Sequence, residues 1–389
     1  MRGFGVAERR NRLARRHLLS TQSGESVAGV TAQLLGLHAT DPATPYLSLW
    51  ARMAGFLTSD LDTELYQKRS VVKHLAMRRT LWVVTAEDLA IIQPAASDRV
   101  AANERRRLVA DAQKAGVAED GERWLDAACT AVLRHLGEHG PASGSDLRAA
   151  LPELAGTWDP APGKRWGGPV PLAPRVLTVL SVRGDIVRGP NGGTWTTSRP
   201  RWVTAADWLT RPVEPRPADD ARAELTRRWL HAFGPATVDD IKWWFGTTLT
   251  AVRTALAEIG AVAVDLHGVP GFALADDLDP EPDTEPWCAL LPGLDLTTMG
   301  WFQRDWYLGE HRGQVFDRNG NAGPTAWWNG RVVGGWSQDA DGRVQLQLLE
   351  DPGRDGRRAL TKRAVELTAW LDGVRIAPRF PSPLSKAKR

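Results

Sequence analysis

Apolar residues recur at helical spacing along most of this chain, and two of the helical stretches run into the same short phrase. Residues 124–136 and 225–233 carry apolar positions with the period of one helix face. The first leads into Gly140-Pro141-Ala142-Ser143 and then Asp146-Leu147. The second leads into Gly234-Pro235-Ala236-Thr237 and then Asp240-Ile241, 94 residues further on. Glycine closes a helix in the left-handed conformation and a following proline prevents continuation, so both glycines are expected at positive φ. Ser143 or Ser145, and Thr237, can accept from the open N–H groups of the next helix, with Asp146 and Asp240 favourable in its first turn. Behind the first copy, Leu172, Val176, Leu177, Val179 and Leu180 form one helical face, and residues 184–196 read as two strands around a Gly/Asn turn. Behind the second copy, residues 249–259 and 261–274 repeat that order, turning at His267-Gly268. Helix, Gly-Pro turn, capped helix, helix and hairpin is the order of a winged helix-turn-helix. The competing reading is two helical hairpins with no nucleic-acid role; recurrence of the hairpin together with the helices favours the winged form.

Residues 7–19, 26–37 and 46–56 read as further helices, and residues 73–84 alternate and end in a strand. The first 90 residues therefore look like a divergent unit of the same kind, without the Gly-Pro phrase. Residues 287–375 differ: a strand opens at Leu290-Leu291-Pro292, residues 332–336 face 344–348 across Asp341-Gly342, and a helix over 362–371 closes the module. The expected fold class is α+β and helix-rich, with tandem winged helix-turn-helix units and a β-rich C-terminal module. The expected boundaries are a first unit at 1–90, a helical connector at 91–120, a second unit at 121–215 and a third at 216–275. An acidic linker at 276–286, the β-rich module at 287–378 and a basic tail at 379–389, disordered over 385–389, complete the chain.

Composition adds constraints. With 389 residues, 42% hydrophobic and 24% charged, the chain reads as soluble, globular and long enough for several cores. Its apolar runs fall short of the roughly 18 residues of a membrane span, and its Arg-rich start is not a signal peptide. A cytoplasmic, nucleoid-associated monomer with no membrane contact and no obligate protein partner is expected. Cys129 and Cys288 have neither metal-ligand spacing nor a disulfide framework. His135-Leu136-Gly137-Glu138-His139 spells the H-x-x-E-H of certain zinc peptidases. The repeat, however, aligns these positions with Trp229, Ala232 and Phe233, which are packing or surface sites. No metal and no cofactor is expected.

The net charge of +3 is unevenly placed. Residues 1–20 hold six arginines and one glutamate; residues 67–86 hold five bases and no acid. Residues 164–211 hold eight bases against Asp185 and Asp207, whereas residues 275–285 hold six acids and no base. Segregated basic surface suits a phosphate-lined partner. The candidate DNA contacts are Arg78 and Arg79 beside the first hairpin and Lys164 and Arg165 in a Gly/Pro-rich loop. Arg175 and Arg183 on the following helix, with Arg201 and Trp202 after the wing, complete the set. Among the 18 tryptophans, Trp202 is the one expected to stack on a base.

One segment suggests chemistry. An apolar helix leads into His38-Ala39-Thr40, braced by Asp-Pro-x-x-Pro and followed by Tyr46-Leu47-Ser48-Leu49-Trp50-Ala51-Arg52. Side chains at i and i+2 near a helix end can converge on one small molecule such as water. The alternative is a structural histidine. The stretch 35–52, together with Met77-Arg78-Arg79-Thr80-Leu81-Trp82-Val83-Val84 and Leu290-Leu291-Pro292-Gly293-Leu294-Asp295, carries a family resemblance. So do Met299-Gly300-Trp301, Arg304-Asp305-Trp306-Tyr307 and the run from Phe316 to Pro324. These residues resemble the bacterial winged-helix DNA-binding family that contains the AlkZ-like DNA glycosylases, over about residues 8–375. The resemblance implies three tandem winged-helix units and a barrel-like C-terminal part forming a concave cradle for DNA. It also implies a monofunctional hydrolase of N-glycosidic bonds that repairs bulky or N7-alkylated purines, including crosslinks. The family's glycosylases carry Gln-x-Gln or Gln-x-Asp where this chain has His38-Ala39-Thr40. His38 is then expected to hold or deprotonate a water and Thr40 to bond it, while Asp41 either takes an N-cap-like or turn role, the favoured reading, or adds charge if it turns inward. Damaged double-stranded DNA is the expected partner. The competing function is a non-catalytic winged-helix DNA-binding protein, either a transcriptional regulator or a lesion-recognition scaffold.

Overall fold

The structure, a computed structural model, describes residues 1–165 and 167–386; Trp166 and the last three residues of the expected basic tail lie outside the described residues. The chain divides into two compact units, Met1–Leu61 with Arg222–Arg389, and Asp62–Ala221.

The continuous unit is built on helices Asp98–Lys114, Gly121–His139, Gly144–Ala150 and Ala173–Arg183 and the hairpins Val71–Leu75/Leu81–Thr85 and Ile186–Asn191/Pro200–Thr204. Asp120 caps Gly121–His139 by accepting from the Arg123 N–H, and Leu125, Ala128, Cys129, Val132 and Leu136 are buried along one face. They pack with Leu147, Val176, Leu180, Ile186 and Trp202 in a single core. The helix ends at Gly140, whose φ of 76° is open to glycine and costly for other residues. Ser143 then closes a capping box with Asp146, satisfying two backbone donors at once.

The second copy of the phrase, in the other unit, reproduces this chemistry with one difference. Thr237 and Asp240 form the same capping box at the start of Val238–Phe245. Gly234, however, does not adopt positive φ. Glycine is needed there because a Cβ would lie 2.3 Å from the Leu230 carbonyl oxygen. The alanines of the phrase do something the sequence does not reveal. Ala142 and Trp202 exchange backbone hydrogen bonds at 3.2 and 2.7 Å, and Ala236 and Phe272 do so at 3.1 and 2.8 Å. Each Gly-Pro-Ala phrase thus adds a short third strand to its own hairpin.

The C-terminal part of the discontinuous unit is a four-stranded antiparallel sheet in the order Cys288–Leu291, Thr325–Trp328, Arg331–Gln338, Val344–Leu348. Helix Gly353–Leu371 covers it through Leu360, Ala364, Leu367 and Leu371. This helix begins well before residue 362, where the sequence places its start. Gly356 lies inside the helix, where a Cβ would meet the Trp328 indole at 3.0 Å.

Two charged segments that the sequence treats separately neutralise one another. Helix Val6–Arg16 lies along the acidic linker: Arg12 and Arg16 reach Asp277 at 2.8 and 2.7 Å, and Arg15 reaches Glu281 at 3.3 Å. Arg9 stacks over Trp306, Arg10 donates to the Trp306 carbonyl at 3.0 Å, and Arg2 pairs with Glu8. The arginines of the N-terminus are engaged inside their own unit, so their charge is not the open basic surface the sequence suggests.

Candidate active site

Helix Val27–Gln33 is capped by Ser26, which accepts from the Gly29 N–H. Leu35 at φ 57° and Gly36 at φ 115° then reverse the chain, and the Gly36 N–H closes the turn on Thr31 O at 2.8 Å. Leu37 and His38 are extended. The helix is shorter than the 26–37 expected, so the triplet leaves an extended segment rather than a helix end. His38 and Ala39 are each 3% exposed, Thr40 is half-buried, and Asp41 is 8% exposed.

Asp41 uses both carboxylate oxygens on backbone. Oδ1 accepts from the Ala43 N–H at 3.1 Å and Oδ2 from the Arg379 N–H at 2.9 Å. This is the behaviour of an Asx turn brace, and it fixes the direction of the chain after Thr40. The role open to Asp41 is therefore positional, the turn role that the sequence favours over an inward charge.

Helix Thr44–Trp50, wholly buried, holds the turn from the other side. Thr44 donates to Gly293 O at 2.7 Å, and Ser48 donates to Asp295 Oδ2 at 2.6 Å. Arg52 forms a two-pronged pair with Asp295 at 2.8 and 2.9 Å and also donates to Thr297 Oγ1 at 2.8 Å. Both members of the pair are fully buried. Burial alone would raise the Asp295 carboxyl, but the Arg52 charge and the bonds from Arg52, Ser48 and Thr297 outweigh it and hold the group below its ordinary value. Removing either partner would strand a buried charge, at a cost of about 3–5 kcal/mol. His17 completes the network at 2.8 Å from Thr297 Oγ1; burial, with Arg52 nearby, lowers its imidazole to about 3, so it is neutral. Thr44, Ser48, Arg52, Gly293 and Asp295 lie in blocks that the sequence resemblance marks, whereas His17 and Thr297 do not, and pairing across more than 240 positions leaves no local signal.

The candidate DNA contacts fall in the continuous unit and separate into two groups. Lys164, Arg165, Arg183 and Arg201 are exposed. Arg183 pairs with Asp185 at 3.0 Å and Arg201 donates to Pro141 O at 2.6 Å. Arg78 and Arg79 occupy the tip of the hairpin Val71–Leu75/Leu81–Thr85 at φ 54° and 62°, a region costly for residues other than glycine. Arg79 is exposed and grips the buried Glu104 through two bonds of 2.7 and 2.8 Å. Arg175, by contrast, is committed to Asp111 at 2.8 Å and lies over the Trp158 ring. Trp202 is 7% exposed and packed in the core, with Arg188 over its ring, so it has no face to offer a base.

His135 and His139 stack on each other at 4.5 Å, with Glu138 exposed beside them. Among the described residues, no three His, Cys, Asp or Glu side chains group as metal ligands. Burial raises the Cys129 thiol to about 11 and also raises Cys288, which keeps both protonated. Among the described residues no helix is long and apolar enough to cross a membrane.

The fold is that of a known class of DNA repair enzyme. The chain superposes on the solved structure of Streptomyces sahachiroi DNA glycosylase AlkZ with a TM-score of 0.73, covering 97% of this chain and 99% of that one at 22% identity. A curated relative, the interstrand DNA cross-link repair glycosylase of Streptomyces sahachiroi, is 31% identical over 204 residues. That match takes in 50% of this chain and spans about half, 52%, of the relative's length. A family model described as DNA glycosylase AlkZ-like matches residues 31–370. The chain belongs to the AlkZ-like DNA glycosylase family.

Proposed function

We propose that the protein is a monofunctional DNA glycosylase that removes bulky or N7-alkylated purines from double-stranded DNA. The observation that carries this reading is the turn His38-Ala39-Thr40-Asp41, nearly buried and braced on both sides, in a chain matched to the family over residues 31–370. Alkylation at N7 makes the purine a cationic leaving group, so departure needs no strong acid. The C1′–N9 bond breaks with its electron pair going to the purine, and a water oxygen bonds C1′. His38 takes the water proton on its imidazole as general base. The Thr40 hydroxyl bonds the same water, and Asp41 positions the turn. The name of the Streptomyces sahachiroi relative supports including crosslinked purines in the substrate class.

Binding to the duplex is a separate part of the proposal. Tandem winged-helix units present Arg78, Arg79, Lys164, Arg165, Arg183 and Arg201 to phosphates, giving affinity with little base specificity. Incubating the protein with duplexes carrying N7-methylguanine or a bulky N7 adduct tests the enzymatic part. Abasic product, revealed as alkali-labile strand breaks, is expected. Binding without any such product would favour a lesion-recognition scaffold or a transcriptional regulator.

A further inference from the structure

We infer that the C-terminal strap, residues 374–386, completes the active site, with Arg379 as the positioning residue for Thr40 and Asp41. This rests on the function proposed above. The strap begins where helix Gly353–Leu371 ends and Asp372 and Gly373 turn the chain at φ 43° and 79°. The Gln338 side-chain amide grips it from both sides: Nε2 donates to Val374 O at 3.0 Å, and Oε1 accepts from the Ile376 N–H at 2.8 Å. Arg379 follows, donating its backbone N–H to Asp41 Oδ2 at 2.9 Å and its guanidinium to Thr40 O at 3.2 Å. Beyond it, Ser382 is 1% exposed and packed so close to Gly323 that a Cβ there would lie 2.3 Å from the serine oxygen.

The strap is thus anchored before and after the residue that touches the turn. Asp41 divides its oxygens between Ala43, within its own turn, and Arg379, outside it. The carbonyl of Thr40 is held by the same arginine. A shift of the turn therefore breaks the strap contacts, and loss of the strap removes the bonds that Arg379 makes to Thr40 and Asp41. The family match ends at residue 370, so this brace lies outside the matched region.

The test compares full-length protein with Arg379→Ala, Arg379→Lys, His38→Ala and a chain ending at Gly373. Hydrogen exchange over residues 37–44 reads the brace directly, and single-turnover cleavage of an N7-methylguanine duplex reads its effect on chemistry. Arg379→Ala is expected to raise exchange in that segment and slow cleavage about 10-fold with DNA affinity unchanged. Lysine recovers part of the rate by keeping a donor near Thr40. Truncation removes the N–H bond to Asp41 as well and is expected to slow cleavage by about 100-fold, the scale of a 1 Å misplacement. Unchanged exchange over 37–44 in both Arg379→Ala and the truncated chain overturns the inference. Wild-type cleavage rates in both, with His38→Ala inactive, overturn it too. Wild-type cleavage by His38→Ala would instead count against the proposed catalytic site, while the exchange measurement still decides the brace.

Discussion

His17 and His74 lie in different units, are almost fully buried, and are held by burial at about 3 and about 4. An unfolded histidine takes up its proton near pH 6.5, whereas these two stay neutral in the fold until well below that. Between those values the unfolded state binds more protons, so stability falls as pH falls, by about 1.4 kcal/mol per pH unit for each histidine. Thermal midpoints recorded from pH 7 to 4.5 should decline, and decline less steeply in His74→Gln; parallel curves would contradict this. The same scale shows where sequence reading reaches its limit. His38, Thr40 and Asp41 are visible as residue types with chemistry. The turn from Asp41 to Ala43 is local, but the bond from Arg379 to Asp41 and the burial of Trp202 depend on tertiary packing that no local pattern encodes.

The two capping boxes look alike in sequence and differ in what they hold. Asp146 is exposed and serves only its own helix start, through Ser143. Asp240 is fully buried; Oδ2 accepts from the Thr237 N–H and hydroxyl, and Oδ1 from the backbone N–H groups of Phe302 and Gln303. Asp146→Ala should cost about 1 kcal/mol, the usual worth of a cap. Asp240→Ala strands four donors and should cost about 2–4 kcal/mol or more. Equal losses in denaturant titrations would refute the distinction. Helices with a clear apolar face, such as Gly121–His139 and Ala173–Arg183, are legible from periodicity alone. The third-strand role of Ala142 and Ala236 is not, because it is made of backbone bonds to residues 60 and 36 positions away. The early start of Gly353–Leu371 is hidden by two glycines, Gly353 at φ 75° and Gly356 packed against the Trp328 indole.

Over the whole chain, a net charge of +3 hides a division of labour. The Arg-rich N-terminal helix is neutralised by the acidic segment around Asp277 and Glu281, while the continuous unit keeps Lys164, Arg165, Arg183 and Arg201 exposed. Charge runs are legible in sequence; which run cancels which is not, since residues 12 and 277 meet only in the fold. Replacing Lys164 and Arg165 with alanine should lower the salt dependence of DNA binding by about one unit of slope per lost phosphate contact. Arg15→Ala should leave the slope unchanged, and the reverse pattern would displace the proposed interface. Chemistry at His38 is best tested by matched single-turnover assays of wild type and His38→Ala on a duplex with one N7-alkylguanine, with affinity measured in parallel. Abasic product from wild type, at least about a 100-fold loss in the variant, and equal affinity are expected. Equal product from both proteins, or none from either, would contradict this.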